Sequence, residues 1–392
     1  MILFKRFYMY NRLFKLVSLL TLLYTNIYAL EYKEYLEQQN KEYNEYKQTF
    51  EKEFEAYKQA YIQGLKEYEN EILNTWPSSE ISTAHKWVQY DKNYTTKKSV
   101  DFKKQTIKLE VVAINEKEAR KKLLNTFDDL LKDDVKRAYK NDQLENKIAK
   151  KLKSKPIKIK SNEKIISDII QKEEKTKLTQ KIKSIPLIRV KHKNKYIYKA
   201  NLKFPPKSLI KKAKLYTQDV SSNAQATKMD KELIYAIIHS ESSFNPMARS
   251  HIPAYGLMQI VPKSAGVDTY RFLYGKKRLL SSTYLYNTKN NIKIGSNYLH
   301  ILYFKYLRHI KDPQSRFYCT IAAYNTGAGN VAKTFVGTYN IKKASLIINE
   351  LTPEEVYKNL MRKLPYLETR KYLKKVNDRT FVYAKLLKDE QL

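Results

Sequence analysis

An apolar segment that ends in a glutamate constrains the fold of this chain more than any other feature. The residues from Leu233 to Ile238 are all apolar, and Glu241 closes the same helix-like run. Apolar residues in such a run cover the core of a domain, so a carboxylate at its end is expected to be half-buried. Burial disfavours the charged form and raises the pKa, and the carbonyl end of the helix acts in the same direction. Both effects suit a general acid that works near neutral pH.

Other acidic residues are scarce in the segment that follows Glu241. Between residues 242 and 349 only Asp268 and Asp312 are acidic. Asp312 precedes a proline and is typical of a turn, whereas Asp268 comes shortly after the pair Ala265-Gly266, which interrupts regular structure, and could cap a short helix. A glycosidase of the usual kind needs two carboxylates about 5 to 9.5 Å apart. Glu241 would therefore act first as acid and then as base, with a substrate hydroxyl as nucleophile. The alternative is an ordinary helix end whose carboxylate lies in water.

Four motifs follow one another over the second half of the chain. They are Glu241-Ser242-Ser243-Phe244-Asn245-Pro246 with Ser250, Ala254-Tyr255-Gly256-Leu257-Met258-Gln259-Ile260, Ala322-Ala323-Tyr324-Asn325-Thr326-Gly327-Ala328-Gly329-Asn330-Val331, and Glu368-Thr369-Arg370-Lys371-Tyr372-Leu373-Lys374-Lys375-Val376. In this order they resemble the catalytic region of lytic murein transglycosylases with the goose-lysozyme-like fold. The segment Leu351-Thr352-Pro353-Glu354-Glu355-Val356-Tyr357 is similar to the membrane-bound murein transglycosylase C branch in particular. A weaker resemblance extends upstream through residues 87–90 and 100–102.

The resemblance implies roles for individual residues. Glu241 is the catalytic carboxyl, and the position that matches Tyr372 places a phenol beside it. The positions that match Ser250 and Gln259 contact the muramyl unit, and the one that matches Met258 lines the cleft. The implied substrate-binding residues are Ser250, Gly256, Met258, Gln259, Tyr324, Asn325 and Glu368.

The chemistry of several of these residues fits such roles. Gly256 and the loop 327–329 lack bulky side chains, so a sugar chain could approach their backbone closely. Gln259, Asn325 and Ser250 are neutral donors and acceptors that can bind hydroxyl and acetamido groups. Each position also has a structural interpretation, since a methionine or tyrosine at helical spacing is more often a core residue. His239 is interpreted as structural, because nothing pairs it with a nucleophile.

The reaction that the resemblance implies is a non-hydrolytic cleavage of murein. Protonated Glu241 would donate to the glycosidic oxygen between N-acetylmuramic acid and N-acetylglucosamine, and its ionised form would take the proton of the muramyl C6 hydroxyl as a 1,6-anhydro ring closes. No metal or other cofactor is expected, since the chain has no phosphate-binding loop and no Cys/His ligand spacing. Two alternatives remain. One is a hydrolytic muramidase with an unrecognised second carboxylate, and the other is a non-catalytic peptidoglycan-binding envelope protein.

Residues 1–29 are typical of a secretory signal peptide. Basic residues precede a short apolar run at 16–24, and Ala29 is a small residue at the predicted cleavage position. The run is shorter than the ~20 residues of a stable membrane span, although an uncleaved signal anchor is the alternative. We expect export to the periplasm or cell envelope, with membrane association. Enzymes of the C type are typically acylated on a cysteine just after this region, but the only cysteine here is Cys319, interpreted as a core residue.

The predicted fold class is α+β, with two domains after the signal. Residues 30–204 form a smaller α+β domain, and residues 205–392 form a lysozyme-like, mainly α catalytic domain. A long helix is predicted in 31–76 from aromatic residues at helical spacing, ended by Pro77. The aromatic residues are Tyr43, Tyr46, Phe50, Phe54, Tyr57, Tyr61 and Tyr68.

Further elements are predicted on both sides of the boundary at Pro205-Pro206. Asn115 is expected to open a helix through about Leu131. Strands are expected at 100–102, 107–111, 187–190 and 196–204, and a solvated lysine-rich loop is expected at 150–164. From Ser208 onward the pattern is mostly helical. Asp230 is the predicted N-cap of the helix that ends at Glu241, and other helical segments are 291–310, 315–324 and 366–387.

The net charge of +35 predicts an anionic partner. Peptidoglycan strands carry peptide carboxylates, and bacterial membranes carry anionic lipids, so both surfaces fit this charge. Nucleic acid is not expected as a partner, because the basic residues are spread along the whole chain and no nucleic-acid-binding signature is present.

Overall fold

A computed structural model describes residues 51–153, 159, 161–250 and 253–392. The predicted signal peptide and the first part of the predicted long helix, up to residue 50, lie outside the described residues. Residues Ala60–Leu392 form one compact unit. In the described part of the chain, no helix is both long enough and apolar enough to cross a membrane.

Helix α1 covers residues 51–73 and corresponds to the second part of the predicted long helix. Two aromatic residues of the predicted face, Tyr61 and Tyr68, are buried. The helix ends before Pro77, since the chain turns at residues 74–76 to bury Trp76. The Trp76 indole Nε1 donates a hydrogen bond to the Tyr94 carbonyl at 2.9 Å. This bond fixes the turn on the part of the chain that carries the β-strands, residues 77–204, which we call the sheet region.

A five-stranded antiparallel sheet forms the centre of the first half of the chain. Its strands are β1 Lys86–Tyr90, β2 Thr96–Asp101, β3 Thr106–Val112, β4 Ile188–His192 and β5 Lys195–Lys203, in the spatial order β1-β2-β3-β5-β4. The two predicted hairpins are confirmed. Strand β1 was not predicted, because its last four residues are all buried and give no alternation of apolar and polar side chains.

Helices pack around this sheet. They are α2 Glu116–Lys132, α3 Val135–Lys140, α4 Gln143–Lys151 and α5 Lys172–Ser184, with a short 3₁₀ helix at Ser167–Ile169. The predicted helix after Asn115 is confirmed, and the Asn115 side chain accepts a hydrogen bond from the Glu118 N–H at 2.9 Å. The helices α3, α4 and α5 lie in the lysine-rich region, where high polarity hides the helical period.

The prediction of a solvated loop at 150–164 is wrong for its described end. The Val135 N–H donates to the Glu163 carbonyl at 2.8 Å, and Ile159 is buried. Residues 154–158 and 160 lie outside the described part. The two predicted domains also share buried contacts here, since the buried Lys212 ammonium donates to the Lys164 carbonyl at 3.1 Å. The boundary at 204/205 therefore stays a prediction within one compact unit.

The second half of the chain is helical, as predicted. Its helices are α6 Ser208–Lys214, α7 Thr217–Thr227, α8 Lys231–Glu241, α9 Val267–Tyr274, α10 Ser282–Leu285, α11 Thr288–His300, α12 Pro313–Thr326, α13 Ala328–Val336, α14 Ile341–Ile348, α15 Pro353–Lys363 and α16 Leu367–Lys388. Two π-helical segments, Pro262–Gly266 and Ile301–Tyr306, precede α9 and extend α11. The α+β fold class, with a mainly helical second half, is confirmed.

Helix α8 runs through the core of this helical part. Seven of its eleven residues are buried, including every residue from Leu233 to Ile238. It packs against α16 and α7. Asp230 occupies the predicted N-cap position, although its side chain makes no capping hydrogen bond. The burial of α8 fixes where its last residue, Glu241, lies.

Removal of the α2 cap should destabilise the sheet region. We expect Asn115→Ala to lower the free energy of unfolding by about 1 kcal/mol, because the Glu118 N–H loses its acceptor. Asn115→Asp keeps an acceptor at the same place and is the control. Urea denaturation followed by circular dichroism measures both, and equal losses in the two variants would contradict the capping role.

Candidate active site

The end of α8 is shaped by an abrupt turn of the chain. Ser243 and Phe244 both have positive φ angles, 52° and 63°, so the helix cannot continue. The Ser242 hydroxyl donates to the Ile238 carbonyl at 3.0 Å and accepts from the Phe244 N–H at 3.1 Å. Phe244 is fully buried and stacks on Tyr216 at 6.0 Å between ring centroids. The turn therefore holds Glu241 at a defined place on the helix end.

Two cations bind the same helix end. The Lys375 ammonium donates to the Ser240 carbonyl at 3.0 Å, and the Arg379 guanidinium donates to the Ser240 hydroxyl at 2.8 Å. Positive charge at a helix C-terminus stabilises the helix. The sequence analysis missed both residues, although they lie on α16 in and just after the fourth motif.

The Glu241 carboxyl has a pKa raised to about 7. Burial is the largest cause, and the negative charge of Glu368 adds to it. A hydrogen-bonding interaction with Tyr372 and the positive charge of Lys375 act in the opposite direction. Glu241 as a whole residue is half-buried. A carboxyl of this kind exchanges a proton near neutral pH.

Two tyrosines of the predicted set, the half-buried Tyr324 and the buried Tyr372, lie close to Glu241 but differ in their partners. The Tyr324 hydroxyl donates to the Met258 carbonyl at 2.9 Å, so its proton is already engaged. The Tyr372 hydroxyl faces the Glu241 carboxyl and makes no hydrogen bond of ordinary geometry to any described residue. Burial raises the pKa of Tyr372 well above its usual value, which keeps it a proton donor. Tyr372 is thus the phenol that can respond to the charge of Glu241.

Position 256 needs a glycine, because the surrounding protein atoms leave no space for a Cβ atom. Its φ is +73°, and a Cβ there would lie 2.3 Å from the Asn291 Nδ2 and 2.5 Å from the Leu285 carbonyl. The expectation that Gly256 leaves room for a sugar chain is therefore wrong, because the space on its Cβ side is filled by protein. Gly327 differs, since no atom lies within 4 Å of a Cβ built there.

The turn 254–260 is held together by Asn291, a residue that the sequence analysis missed. Its Nδ2 donates to the carbonyls of Tyr255 at 2.8 Å and Leu285 at 2.9 Å, and its Oδ1 accepts from the Met258 N–H at 2.8 Å. Met258 is fully buried, and its side chain fills the space beside Gly295. The expectation that the Met258 side chain lines an open cleft is thus not met. Asn291 carries no motif signal, since a lone buried amide is not visible in sequence.

Two polar residues of the predicted set lie on or next to this turn. The Gln259 Nε2 donates to the Gly256 carbonyl at 3.0 Å, while its Oε1 is buried and has no partner among the described residues. That orphaned acceptor can take a hydrogen bond from a bound donor. The Ser250 hydroxyl accepts from the Ala254 N–H at 3.2 Å, which links Ser250 to the same turn.

The third and fourth motifs meet through one hydrogen bond. The Thr369 hydroxyl donates to the Asn325 Oδ1 at 2.7 Å, which joins the end of α12 to the start of α16. Glu368 is exposed on the first turn of α16 and is close enough to act on the pKa of Glu241. Glu368 is thus a second carboxylate near Glu241, and it lies beyond the segment 242–349 in which only Asp268 and Asp312 are acidic.

Asp312 and Asp268, the two acidic residues between positions 242 and 349, have structural roles. Asp312 is the N-cap of α12 and accepts from the Ser315 N–H at 2.6 Å. Asp268 is not a cap, since Gly266 holds that position in α9, and it accepts from the Tyr306 hydroxyl at 3.1 Å. Neither acts on the pKa of Glu241.

Two further titratable groups of this region have pKa values that are shifted mainly by burial. The Tyr383 hydroxyl and the His239 Nδ1 lie 3.1 Å apart, and burial together with Arg379 lowers the pKa of His239 to about 3. Burial also raises the pKa of the Cys319 thiol. In the described residues, no group of three or more His, Cys, Asp or Glu side chains is placed to hold a metal ion.

Alanine substitutions at Gly256 and Gly275 should distinguish the cost of a left-handed backbone from the cost of a steric clash in the interior. Gly275 has a similar φ of +69° and no atom within 4 Å of an added Cβ, so it is the matched control. We expect Gly275→Ala to cost about 1 kcal/mol from the left-handed backbone alone. Gly256→Ala should cost a further ~1–3 kcal/mol, because Asn291 must shift. Equal losses of unfolding free energy in urea would contradict the interior role of Gly256.

Comparison with known proteins supports the family that the motifs indicate. Residues 219–347 match the transglycosylase SLT domain. A membrane-bound lytic murein transglycosylase C of Klebsiella pneumoniae is 42% identical over 192 residues, which are 48% of this chain and 52% of that protein. The chain thus spans about half the length of this relative. The 70 kDa soluble lytic transglycosylase of Escherichia coli aligns over 44% of this chain and 24% of its own at 24% identity, with a TM-score of 0.34. That structural likeness is too partial to add to the argument.

A longer match comes from Salmonella arizonae. Its membrane-bound lytic murein transglycosylase C is 32% identical over 330 residues, which cover 81% of this chain and 87% of that protein. The match includes the sheet region as well as the helical part. This chain belongs to the family of membrane-bound lytic murein transglycosylase C proteins.

Proposed function

We propose that this protein cleaves the MurNAc-β-1,4-GlcNAc bond of peptidoglycan without water and leaves 1,6-anhydro-MurNAc ends. The observation that carries the proposal is the Glu241 carboxyl, whose pKa is raised to about 7 and which the Tyr372 hydroxyl faces. Membership of the lytic murein transglycosylase family supports the substrate class. Glu241 and Tyr372 are the proposed catalytic residues.

In the first step, Glu241 acts as the acid. Its protonated carboxyl donates to the glycosidic oxygen, the bond from that oxygen to C1 of the muramyl unit breaks, and the GlcNAc part leaves as an alcohol. The acetamido group of the substrate stabilises the positive charge at C1. As Glu241 becomes a carboxylate, the Tyr372 hydroxyl can donate to it, and Lys375 stabilises the new negative charge.

In the second step, Glu241 acts as the base. Its carboxylate takes the proton of the muramyl C6 hydroxyl, the C6 oxygen bonds to C1, and the anhydro ring closes. Glu241 then carries a proton again, so no water is consumed and no atom is left over. The raised pKa suits both steps, because a group with a pKa near 7 gives and takes a proton at similar free-energy cost.

The predicted substrate-binding residues are proposed to act in different ways. The orphaned Gln259 Oε1 accepts a hydrogen bond from the glycan, and Ser250 and Glu368 offer further polar contacts. Tyr324 and Asn325 hold the site together through Met258 and Thr369. We propose no direct contact for Gly256 or for the Met258 side chain, since both residues are buried.

Hydrolysis of the same bond is the second candidate. It is favoured by Glu368, which is exposed and close enough to act on the pKa of Glu241. Two carboxylates on one substrate could hold and activate a water molecule. Docking on peptidoglycan without turnover is the third candidate.

Peptidoglycan strands are the proposed partner, and the net charge of +35 favours their peptide carboxylates as well as an anionic membrane surface. The relatives are named membrane-bound. We propose that the protein acts in the periplasm or cell envelope.

Mass analysis of digested peptidoglycan tests the reaction. The wild-type chain should release muropeptides lighter by one water than the hydrolytic products, and Glu241→Gln should release none, because an amide has no acidic proton to transfer to the glycosidic oxygen. Glu232→Gln, at the opposite end of α8, is the matched control and should keep full activity. Products of full mass would mean hydrolysis and point to Glu368, whereas no products from any variant would favour docking.

The pH dependence tests the role of the raised pKa. We expect kcat/KM to fall about tenfold per pH unit above pH ~7, because the fraction of protonated Glu241 falls there. Glu368→Gln removes a negative charge that raises the pKa of Glu241, so the falling limb should move to lower pH. Asp268→Asn is the control and should leave the limb in place. A limb that stays unchanged in Glu368→Gln would contradict this account of the site.

A further inference from the structure

The loop 242–250 that follows Glu241 is held by residues from the first half of the chain. The Asn245 Nδ2 donates to the Ala84 carbonyl at 3.1 Å, and Asn245 is fully buried. The Ser243 hydroxyl lies 3.2 Å from the His85 Nδ1. Both contacts come from the segment that leads into β1. The sheet region is thus in direct contact with the first motif.

A third contact is ionic and buried. The Arg249 guanidinium lies 3.1 Å from the Asp142 Oδ2 and 3.7 Å from the Glu145 Oε1, and the three side chains are 4%, 14% and 5% exposed. Asp142 uses its other oxygen, Oδ1, as the N-cap of α4, where it accepts from the N–H groups of Leu144 and Glu145. The carboxylate therefore joins the start of α4 to the catalytic half of the chain.

Arg249 is itself bound to the turn that carries Gln259. It forms an antiparallel bridge with Tyr255, and the neighbouring Ala248 carbonyl accepts from the Gly256 N–H at 2.8 Å. Ser250 is the next residue in the chain. A displacement of Arg249 would therefore move both Ser250 and the turn 254–260.

A buried guanidinium without its carboxylates is costly, because an uncompensated charge remains in a place that water does not reach. Without Asp142 or Glu145, the loop would have to open to hydrate Arg249. Neither acid nor Arg249 acts on the pKa of Glu241, which responds to Tyr372, Lys375 and Glu368. The cluster can thus affect the binding loop while the acid itself stays unchanged.

We propose that Asp142 and Glu145 are positioning residues, which act through Arg249 to hold Ser250 and the turn 254–260 in the geometry that binds the glycan. The sheet region then completes the substrate site of the helical part. This inference rests on the proposed function for its substrate, although the loop geometry itself can be measured without substrate.

Asp142→Asn is the sharpest test, because the asparagine Oδ1 can keep the N-cap of α4 while an uncharged amide NH2 replaces the carboxylate oxygen that faces Arg249. Asp133→Asn is the matched control. Asp133 is fully buried and pairs with Lys98 in the sheet region, away from the loop 242–250. Both variants should lower the free energy of unfolding, but only Asp142→Asn should disturb the loop 242–250.

Three readouts separate positioning from stability. For Asp142→Asn we expect KM for peptidoglycan to rise at least about tenfold, with kcat changed by less than about threefold and the pH limb unmoved, since a small misplacement of binding groups has effects of this size. In a Glu241→Gln background, sedimentation with purified peptidoglycan should report the same loss of affinity. Hydrogen exchange should report lower protection of the Gly256 and Ile260 amides. Asp133→Asn should change none of these.

A triple variant, Asp142→Asn, Glu145→Gln and Arg249→Met, removes all charges of the cluster together. It should recover stability relative to Asp142→Asn but keep the raised KM and the lower amide protection. Recovery of KM and protection along with stability would overturn the proposal, as would equal exchange in Asp142→Asn and Asp133→Asn. If the wild-type chain neither cleaves nor binds peptidoglycan, the proposed function fails, and hydrogen exchange alone still decides the positioning role.

Discussion

The burial of one carboxyl at the end of a core helix is the constraint on which the site depends. Seven of the eleven residues of helix α8 are buried, and the positive φ angles of Ser243 and Phe244 end the helix directly after Glu241. Lys375 and the Tyr372 hydroxyl offset the burial of the acid, and Arg379 donates to the Ser240 hydroxyl on the same helix end. These groups stabilise the helix end and the ionised acid without cancelling the effect of burial, because the pKa stays near 7.

The sheet region contributes to the site without supplying a catalytic group. Its contacts reach the loop 242–250 from two directions, through the segment before β1 and through the start of α4. The long match to the Salmonella arizonae relative includes both parts of the chain. The helical part alone lacks the partners of the buried Arg249, because Asp142 and Glu145 lie in the first half of the chain.

Much of the fold could be predicted from the sequence, because local patterns of helix caps and of alternating apolar residues agree with the tertiary structure. Asn115 opened a helix, and the alternation at 107–111 marked a strand. Strand β1 and the helices α3 to α5 were missed, since full burial in one case and lysine-rich composition in the other hide the period. In the site, Glu241 was identified from its own context. Asn291 and Arg249 were not, because their partners lie far away in sequence. Gly256 and Met258 were expected to contact the substrate, but the Cβ side of Gly256 is filled by protein atoms and Met258 is fully buried.

The central claim is that the Glu241 carboxyl is protonated over an unusual pH range. Carbon-13 NMR of the glutamate side-chain carboxyls, with Glu241 assigned by comparison with Glu241→Gln, measures this directly. The account predicts that the resonance lost in Glu241→Gln titrates near pH 7, whereas the resonance of Glu145, whose pKa burial also raises to about 7, remains in the variant. A Glu241 resonance that titrates near the ordinary glutamate value of about 4.3 would contradict it.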